Sequence, residues 1–420
     1  MREPTPAHPN EIDLLEAEQH AVEPLRHLFD VNRRDLFKLL GAGLVVGICR
    51  PGMFAQESGR GGRSEDIPHD VASWLHIGAD GKITVFTGKV EMGQNIRTSL
   101  AQQVAEELRT QTNSITMIMG DTDLTPFDLG TFGSRSTPQM GSQLRKVAVA
   151  AREMLLDMAA QRWQADRSTL VAHDGAITNS RTKESFSYSE LTRGQNLVKV
   201  VADDSALTPA TQWHVAGTSA PKVDGKAFVT GVHKYTSDLE QPGMLHGAIL
   251  RPKAFNAMLI SLDGKEAEKL SGIKIVRDGD FVGIVGPDPQ AALNAREMLK
   301  SEWNAPTQIS EAALFDSLRQ GADGEARRGG FGGGRETGSV QTAMASAAKT
   351  LSQTYTAAYI QHAPLEPRAA VAEWEGDKLT VWTGTQRPFG VRDELSTAFH
   401  IPLNQVRVIV PDTGSAYGGK

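Results

Sequence analysis

Glycine placement constrains this chain more than any other feature. Three separated clusters, GKVEMGQN (88–95), GTFGSRSTP (130–138) and DTGSAYGGK (412–420), interrupt stretches that otherwise read as regular structure. Glycine permits left-handed backbone and close approach of the main chain to a ligand, so such clusters mark tight turns or binding loops. The first cluster joins an expected strand to an expected helix, which places Gly93 and Gln94 at a helix amino terminus. Unpaired N–H groups and the helix dipole there suit an anion. A tight turn explains the same residues. Glu91, alone in that turn, reads as an acceptor for backbone N–H groups or as an acid or base. The second cluster offers the hydroxyls of Ser134, Ser136 and Thr137, with Gly133 allowing close approach, a combination suited to a flat polar ligand. In the third, Gly414, Gly419 and Lys420 fit G-x-x-x-x-G-K after the strand VRVIV, so a P-loop-like nucleotide site stands as a rival.

The sequence between the clusters alternates strand and helix patterns. WLHI and KITVF flank GADG as a hairpin. Ile96, Leu100, Val104 and Leu108 form one helical stripe, SITMIMG reads as a strand, and a second helix runs from about 143 to 161 with an alanine content that implies close packing. VDGKAFVTG, KYTSDL and MLHGAIL read as short strands and PQAALNAREMLKSEW as a helix. SQTYTAAYI, LTVWTG and VRVIV read as strands, with RDELSTAFH as a helix between the last two. The fold class is α+β. The chain's 420 residues allow two or three domains, and its net charge of −6 argues against general nucleic-acid binding. The single cysteine, Cys49, excludes an intrachain disulfide and any iron–sulfur cluster held by this chain alone. His362, Glu366 and Arg368 fall close together, but a metal site needs more ligands, and the flanking prolines suit a rigid loop at a domain seam.

Near the amino terminus, Arg33 and Arg34 precede an apolar run from Leu39 to Ile48 that is too short to span a bilayer. The pattern resembles a twin-arginine export signal, a route for proteins already folded around a cofactor. The alternative reading is a buried amphipathic helix with a basic start. The domain expectation is an amino-terminal extension (1–31), a signal-like segment (32–56), a linker (57–70), an ordered segment (71–206), a second module (211–304), a glycine-rich insertion (305–350) and a final segment (351–420).

Taken together and in order, GKVEMGQNIRTSLAQQVAEEL, DTDLTPFDLGTFGSRSTPQMG, APKVDGKAFVTGVHKYTSDLEQPGMLHGAIL, QHAPLEPRAAVAEW and TGTQRPFGVRDEL resemble the large subunit of the xanthine oxidase-like molybdenum hydroxylases, in the branch typified by the isoquinoline 1-oxidoreductase beta-subunit. The resemblance covers about 71–420. It implies molybdopterin-binding segments (71–206 and 351–420) flanking an α/β hammerhead domain (211–304). It also implies cofactor contacts for Gly93, Gln94, Gly133, Ser134, Ser136, Gln386, Gly418 and Gly419. Ser415, Ala416 and Tyr417 stand where the family writes G-G-F. The implied cofactor is molybdopterin cytosine dinucleotide, and the implied reaction is oxidation of an aldehyde or N-heteroaromatic carbon with water as oxygen source. A small two-cluster iron–sulfur subunit takes the electrons and, for an exported member, passes them to a cytochrome c. The family's glutamate base lies in a segment like VGEP that follows this loop, and Glu91 and Glu366 do not match it. No catalytic or metal-ligating residue is therefore assigned to these 420 residues, and the chain alone is expected to be inactive and cofactor-free, whether a gene fragment, one half of a split enzyme or a piece that only pairs with an iron–sulfur subunit.

Overall fold

A computed structural model describes residues 41–49, 71–201, 206–322 and 338–420. The expected extension, both arginines of the signal-like motif and the linker lie outside them. Two compact units divide the described chain, one comprising 240–357 and the other the residues up to 239 together with 358–420.

The larger unit opens with strand β1 (Gly43–Cys49), followed by β2 (Val71–Gly78), β3 (Ile83–Thr87), helix α1 (Ile96–Leu108), β4 (Ile115–Met119) and helix α2 (Ser142–Trp163). Next come the small sheet β5 (Leu170–His173), β6 (Ala176–Asn179) and β7 (Ser185–Ser187), and then β8 (Asn196–Val201). The main sheet has the order β4-β3-β2-β1-β8. β2 and β3 form the expected hairpin, with Trp74 opposite Phe86 and the rings stacked. β3 and β4 are parallel with α1 as the crossover, which is how parallel neighbours must connect. The stripe Ile96, Leu100, Val104 and Leu108 is buried, as are Ala148, Ala151 and Ala159 of α2, which packs on α1, β1 and β2. Each fully buried leucine or valine contributes roughly 1.5–3 kcal/mol.

Residues 43–48 of the run that resembles an export signal lie in β1. Leu44, Val45 and Val46 are buried, and the strand pairs antiparallel with β2 and parallel with β8. Its apolar character thus has a use within the sheet, as a strand rather than as the buried helix that the sequence also allows.

The smaller unit contains β9 (His246–Leu250), β10 (Met258–Asp263), β11 (Lys274–Asp278), β12 (Phe281–Gly286), helix α3 (Pro289–Met298) and β13 (Lys300–Asn304) around Leu259, Val282, Ile284 and Ala295. KSEWN, expected as the end of a helix, is β13, paired with β10. The insertion expected at 305–350 carries helices at Glu311–Ala322 and Val340–Ser346.

The chain then returns to the larger unit as β14 (Ala370–Glu375), β15 (Lys378–Thr383), helix α4 (Pro388–Phe399) and β16 (Val406–Ile409), in a sheet of order β14-β15-β16. β15 and β16 are parallel, with α4 between them. Two expectations are corrected here. SQTYTAAYI is not a strand: Tyr355, Tyr359 and Ile360 are exposed and unpaired by any ladder. VDGKAFVTG and KYTSDL instead form a helical turn at Gly225–Val229 and a 3-10 turn at Thr236–Asp238. These turns, assigned by sequence to the second module, belong to the larger unit. The segment ahead of them is fastened to α1 by two buried carboxylates. Glu106 accepts the N–H groups of His214, Val215 and Ala216, and Glu107 meets Thr208 and Arg145.

Candidate functional site

The loops after β3, β4, β15 and β16 all leave the carboxyl ends of parallel strands, where open α/β sheets place their ligands. They line one cavity of about 1000 Å³. Gly93, Gln94, Ser134, Ser136, Gln386 and Gly418 all face it. Gly133 and Gly419 are not on its wall. Gly133 supplies the left-handed turn (φ 63°) ahead of Ser134, and Gly419 donates its N–H to the Ala416 carbonyl at 2.8 Å.

Direct bonds hold the loops together. Thr413 donates its N–H to the Glu91 carbonyl at 2.9 Å, and Val90 donates to Thr131 Oγ1 at 2.9 Å. The Lys89 ammonium, buried, reaches Asp128 at 2.8 Å and the Gly130 carbonyl at 2.6 Å. Arg97 on α1 grips Asp412 through two nitrogens. Burial opposes its charge, but Asp412, helped by Glu91 and Asp224, holds the guanidinium above its ordinary range. Gln386 joins the second loop to the third. Its side-chain amide donates to the Thr131 carbonyl at 2.8 Å, its N–H donates to the Lys420 carbonyl at 3.1 Å, and its Oε1 accepts from the Lys420 N–H at 3.3 Å. Gln386 therefore acts as a clamp as well as a wall.

One expectation is corrected in detail. The amino terminus of α1 is not open to a ligand anion, because Glu91 fills it. Its buried carboxylate accepts N–H bonds from Gly93 (2.9 Å), Asn95 (3.0 Å) and Arg97 (2.9 Å), and the Lys222 ammonium lies 3.2 Å away. Burial works against ionisation here, but the Arg97 and Asn95 N–H groups and Lys222 outweigh it and hold the acid below the usual glutamate range. Gln94 is also committed, accepting from Met92 N–H and donating to the Val90 carbonyl. Gly93 still presents an open edge, with φ 91° and nothing within 4 Å of where a Cβ would stand.

The amino terminus that does face the cavity is that of α2. A π-helical turn, Ser136–Gly141, leads into it; no side chain caps it, and Ser136 and Thr137 line the wall. A dipole end with hydroxyls beside it suits a phosphate. The sequence carries the signal, S-T-P before a long amphipathic helix, but a serine-rich turn accounts for those residues just as well.

Sequence reasoning missed Tyr235, Ser237 and Asp238, which line the cavity, and read the Leu365–Pro367 segment, also on the wall, only as a rigid seam. Tyr235 and its neighbours come from the turns assigned by sequence to the second module. The segment expected to be a rigid seam supplies Glu366, whose Oε2 accepts from Gly414 N–H at 2.6 Å and pairs with the Lys420 ammonium at 2.7 Å. That pair removes the P-loop reading. The Lys420 side chain is 1% exposed and bound to Glu366, whereas a P-loop lysine must reach phosphates. Among the described residues no group of three or more His, Cys, Asp and Glu could hold a metal ion. Backbone edges at Gly93 and Gly418, the α2 terminus, several hydroxyls and the rings of Phe132, Tyr235 and Tyr417 fit a large, flat, phosphate-bearing cofactor.

The molybdopterin cofactor-binding domain family matches residues 28–238 in one model and 329–420 in a second. A nicotinate dehydrogenase subunit from Pseudomonas putida is 31% identical over 83% of this chain and 30% of its own length. The beta chain of isoquinoline 1-oxidoreductase from Brevundimonas diminuta is 25% identical over 90% of this chain and 55% of its own. The crystal structure of quinoline 2-oxidoreductase from Pseudomonas putida 86 aligns with a TM-score of 0.38 at 25% identity, over 47% of this chain and 30% of that one. The chain belongs to the molybdopterin-binding large-subunit family of molybdenum-dependent oxidoreductases. It spans about a third to a half of the length of the curated relatives it matches.

Proposed function

We propose that the cavity holds molybdopterin cytosine dinucleotide and that the chain forms part of an exported hydroxylase or aldehyde dehydrogenase acting on an aldehyde or an N-heteroaromatic carbon. The observation that carries the reading is the convergence of four strand-end loops on one cavity. When bound, the group supplies two-electron oxidation of a carbon–hydrogen bond with water as oxygen source. The chain's own residues bind and orient. The α2 amino terminus with Ser136 and Thr137 receives phosphate, Ser134 and the open Gly93 edge border the ligand, and Gly418 closes the third side. Glu91 and Glu366 stiffen the walls through their bonds to backbone and lysine, so neither serves as the general base. A small two-cluster iron–sulfur subunit takes the electrons, since a single cysteine leaves no cluster on this chain, and in an exported enzyme a cytochrome c receives them. Arg33 and Arg34 ahead of an apolar run support a periplasmic location.

The test uses the assembled enzyme, purified from cells that make the cofactor. Molybdenum analysis and released-pterin fluorescence should show loading. Gly93→Val should reduce it by about tenfold or more, because a left-handed valine costs roughly 1–3 kcal/mol and its side chain enters the cavity. A folded enzyme that carries no pterin, or whose loading ignores Gly93→Val, would overturn the reading.

A further inference from the structure

Segment 222–238 of the larger unit touches two of the three glycine loops. At its start the Lys222 ammonium lies 3.2 Å from Glu91 in the first loop, and Val223 N–H donates to Thr98 Oγ1 on α1 at 2.8 Å. Towards its end His233 Nε2 lies 2.9 Å from the Asp412 carbonyl oxygen in the third loop. A carbonyl only accepts, so the imidazole carries its proton on Nε2 and donates it. Side chains run continuously between these anchors. The Lys222 ammonium stands 5.0 Å from the centre of the Phe228 ring, Phe228 stacks on His233 at 4.2 Å, and His233 meets Tyr235 edge-on at 4.5 Å. Tyr235 is on the cavity wall beside Gly414, where a Cβ would stand 3.4 Å from its Cε1.

Asp412 is the root of the third loop. Its carboxylate is taken by Arg97 and its carbonyl by His233, and the next N–H, of Thr413, goes to the Glu91 carbonyl. Further along, Tyr417 and Gly418 line the cavity with left-handed backbone, at φ 56° and 95°. Among the described residues neither of their N–H groups has a bond within the protein. That edge is what the loop leaves over for a ligand, and its direction follows from how the loop is rooted. Packing alone does not call for an imidazole at 233, because an apolar side chain of similar size fills the space between Phe228 and Tyr235. What histidine adds there is the donor.

We propose that His233 is a positioning residue for the ligand of the cavity. It acts through the Asp412 carbonyl, fixing the root of the third loop and with it the Tyr417–Gly418 edge, while its ring sets the attitude of Tyr235 on the wall. The proposal rests on the cofactor reading given above. It adds a residue outside all three glycine loops on which their geometry depends.

The test compares wild type, His233→Leu and His233→Gln in the assembled enzyme, purified from cells that make the cofactor. Leucine keeps apolar bulk and loses the donor. Glutamine returns an amide N–H close to the place of the imidazole Nε2. In His233→Leu the amides of Thr413, Gly414 and Gly419 should exchange about three- to tenfold faster, and retained pterin after dilution should fall by a similar factor, the range that one lost hydrogen bond implies. The amides of α1 and α2 should be unchanged. His233→Gln should restore both readouts. His233→Asn, too short to reach Asp412, takes the place of the leucine variant if that one does not fold. Exchange and retention in His233→Leu equal to wild type would overturn the proposal. So would equal impairment in the leucine and glutamine variants, which would assign the effect to ring packing and not to the donor. Either result leaves the cofactor reading in place. If wild type itself carries no pterin, that reading falls and the proposal falls with it.

Discussion

At the residue scale, the site is built from charges spent on the backbone. Glu91 closes the amino terminus of α1 from within, leaving the helix end no vacancy for a ligand anion. Its folded-state acidity is stronger than that of a free glutamate. Its contribution to stability is therefore complete above the unfolded glutamate range and is lost as pH falls below it towards the folded value. Glu91→Gln should lower stability at neutral pH by about 1.5–3 kcal/mol, the worth of hydrogen bonds to a charged group. It should also flatten the acid limb of a melting-temperature series taken from pH 7 downwards. Identical acid limbs for variant and wild type would show that the carboxylate is not the cap described. Ser415 is the other informative residue. It adopts φ 83°, which favours glycine, and its Oγ accepts the Leu365 N–H at 3.2 Å. Serine thus holds a backbone conformation that favours glycine and ties that loop to the 365–367 wall.

At the element scale, α2 bears most on the site. Its alanines lie against α1 and the sheet, and its uncapped start opens on the cavity. The alanine run in the sequence announces the close approach, and the structure places Ala151 at zero exposure. Ala151→Leu should cost about 1–3 kcal/mol by overpacking, read as a lowered midpoint in urea. The same variant should also weaken cofactor loading, because displacing α2 moves Ser136 and Thr137. The elements legible in the sequence, the β2–β3 hairpin, α1, β4, α2, β15, α4 and β16, carry strong periodicity and one buried face. Those that differ from expectation, at 225–229, 236–238 and 351–360, are short or unpaired, where local pattern is outweighed by what the tertiary surroundings offer.

At the scale of the whole molecule, each unit buries its own apolar cluster, one around α1 and α2 and one around Val282 and Ile284. The cavity is lined wholly by the larger unit. Calorimetry of the full chain should therefore resolve more than one transition. Only the transition of the larger unit should move up on cofactor loading, by about 2.7 kcal/mol when free ligand stands at a hundred times its dissociation constant. A single transition that shifts as one would contradict separate cores.

The sequence by itself marked the three loops that line the cavity. Glycines, hydroxyls and their spacing are local chemistry, and local chemistry survives without coordinates. It also determined that this chain cannot by itself hold an iron–sulfur cluster, since one cysteine is a count and not a geometry. Only the tertiary structure decided which helix end is open, because Glu91 and the N–H groups it accepts meet through the turn at Gly93. It alone brought Tyr235 and Glu366 to the cavity from segments far apart in the chain. It alone gave the apolar run at 43–49 a place between two strands: hydrophobicity says that a segment leaves water, and pairing partners decide where it goes.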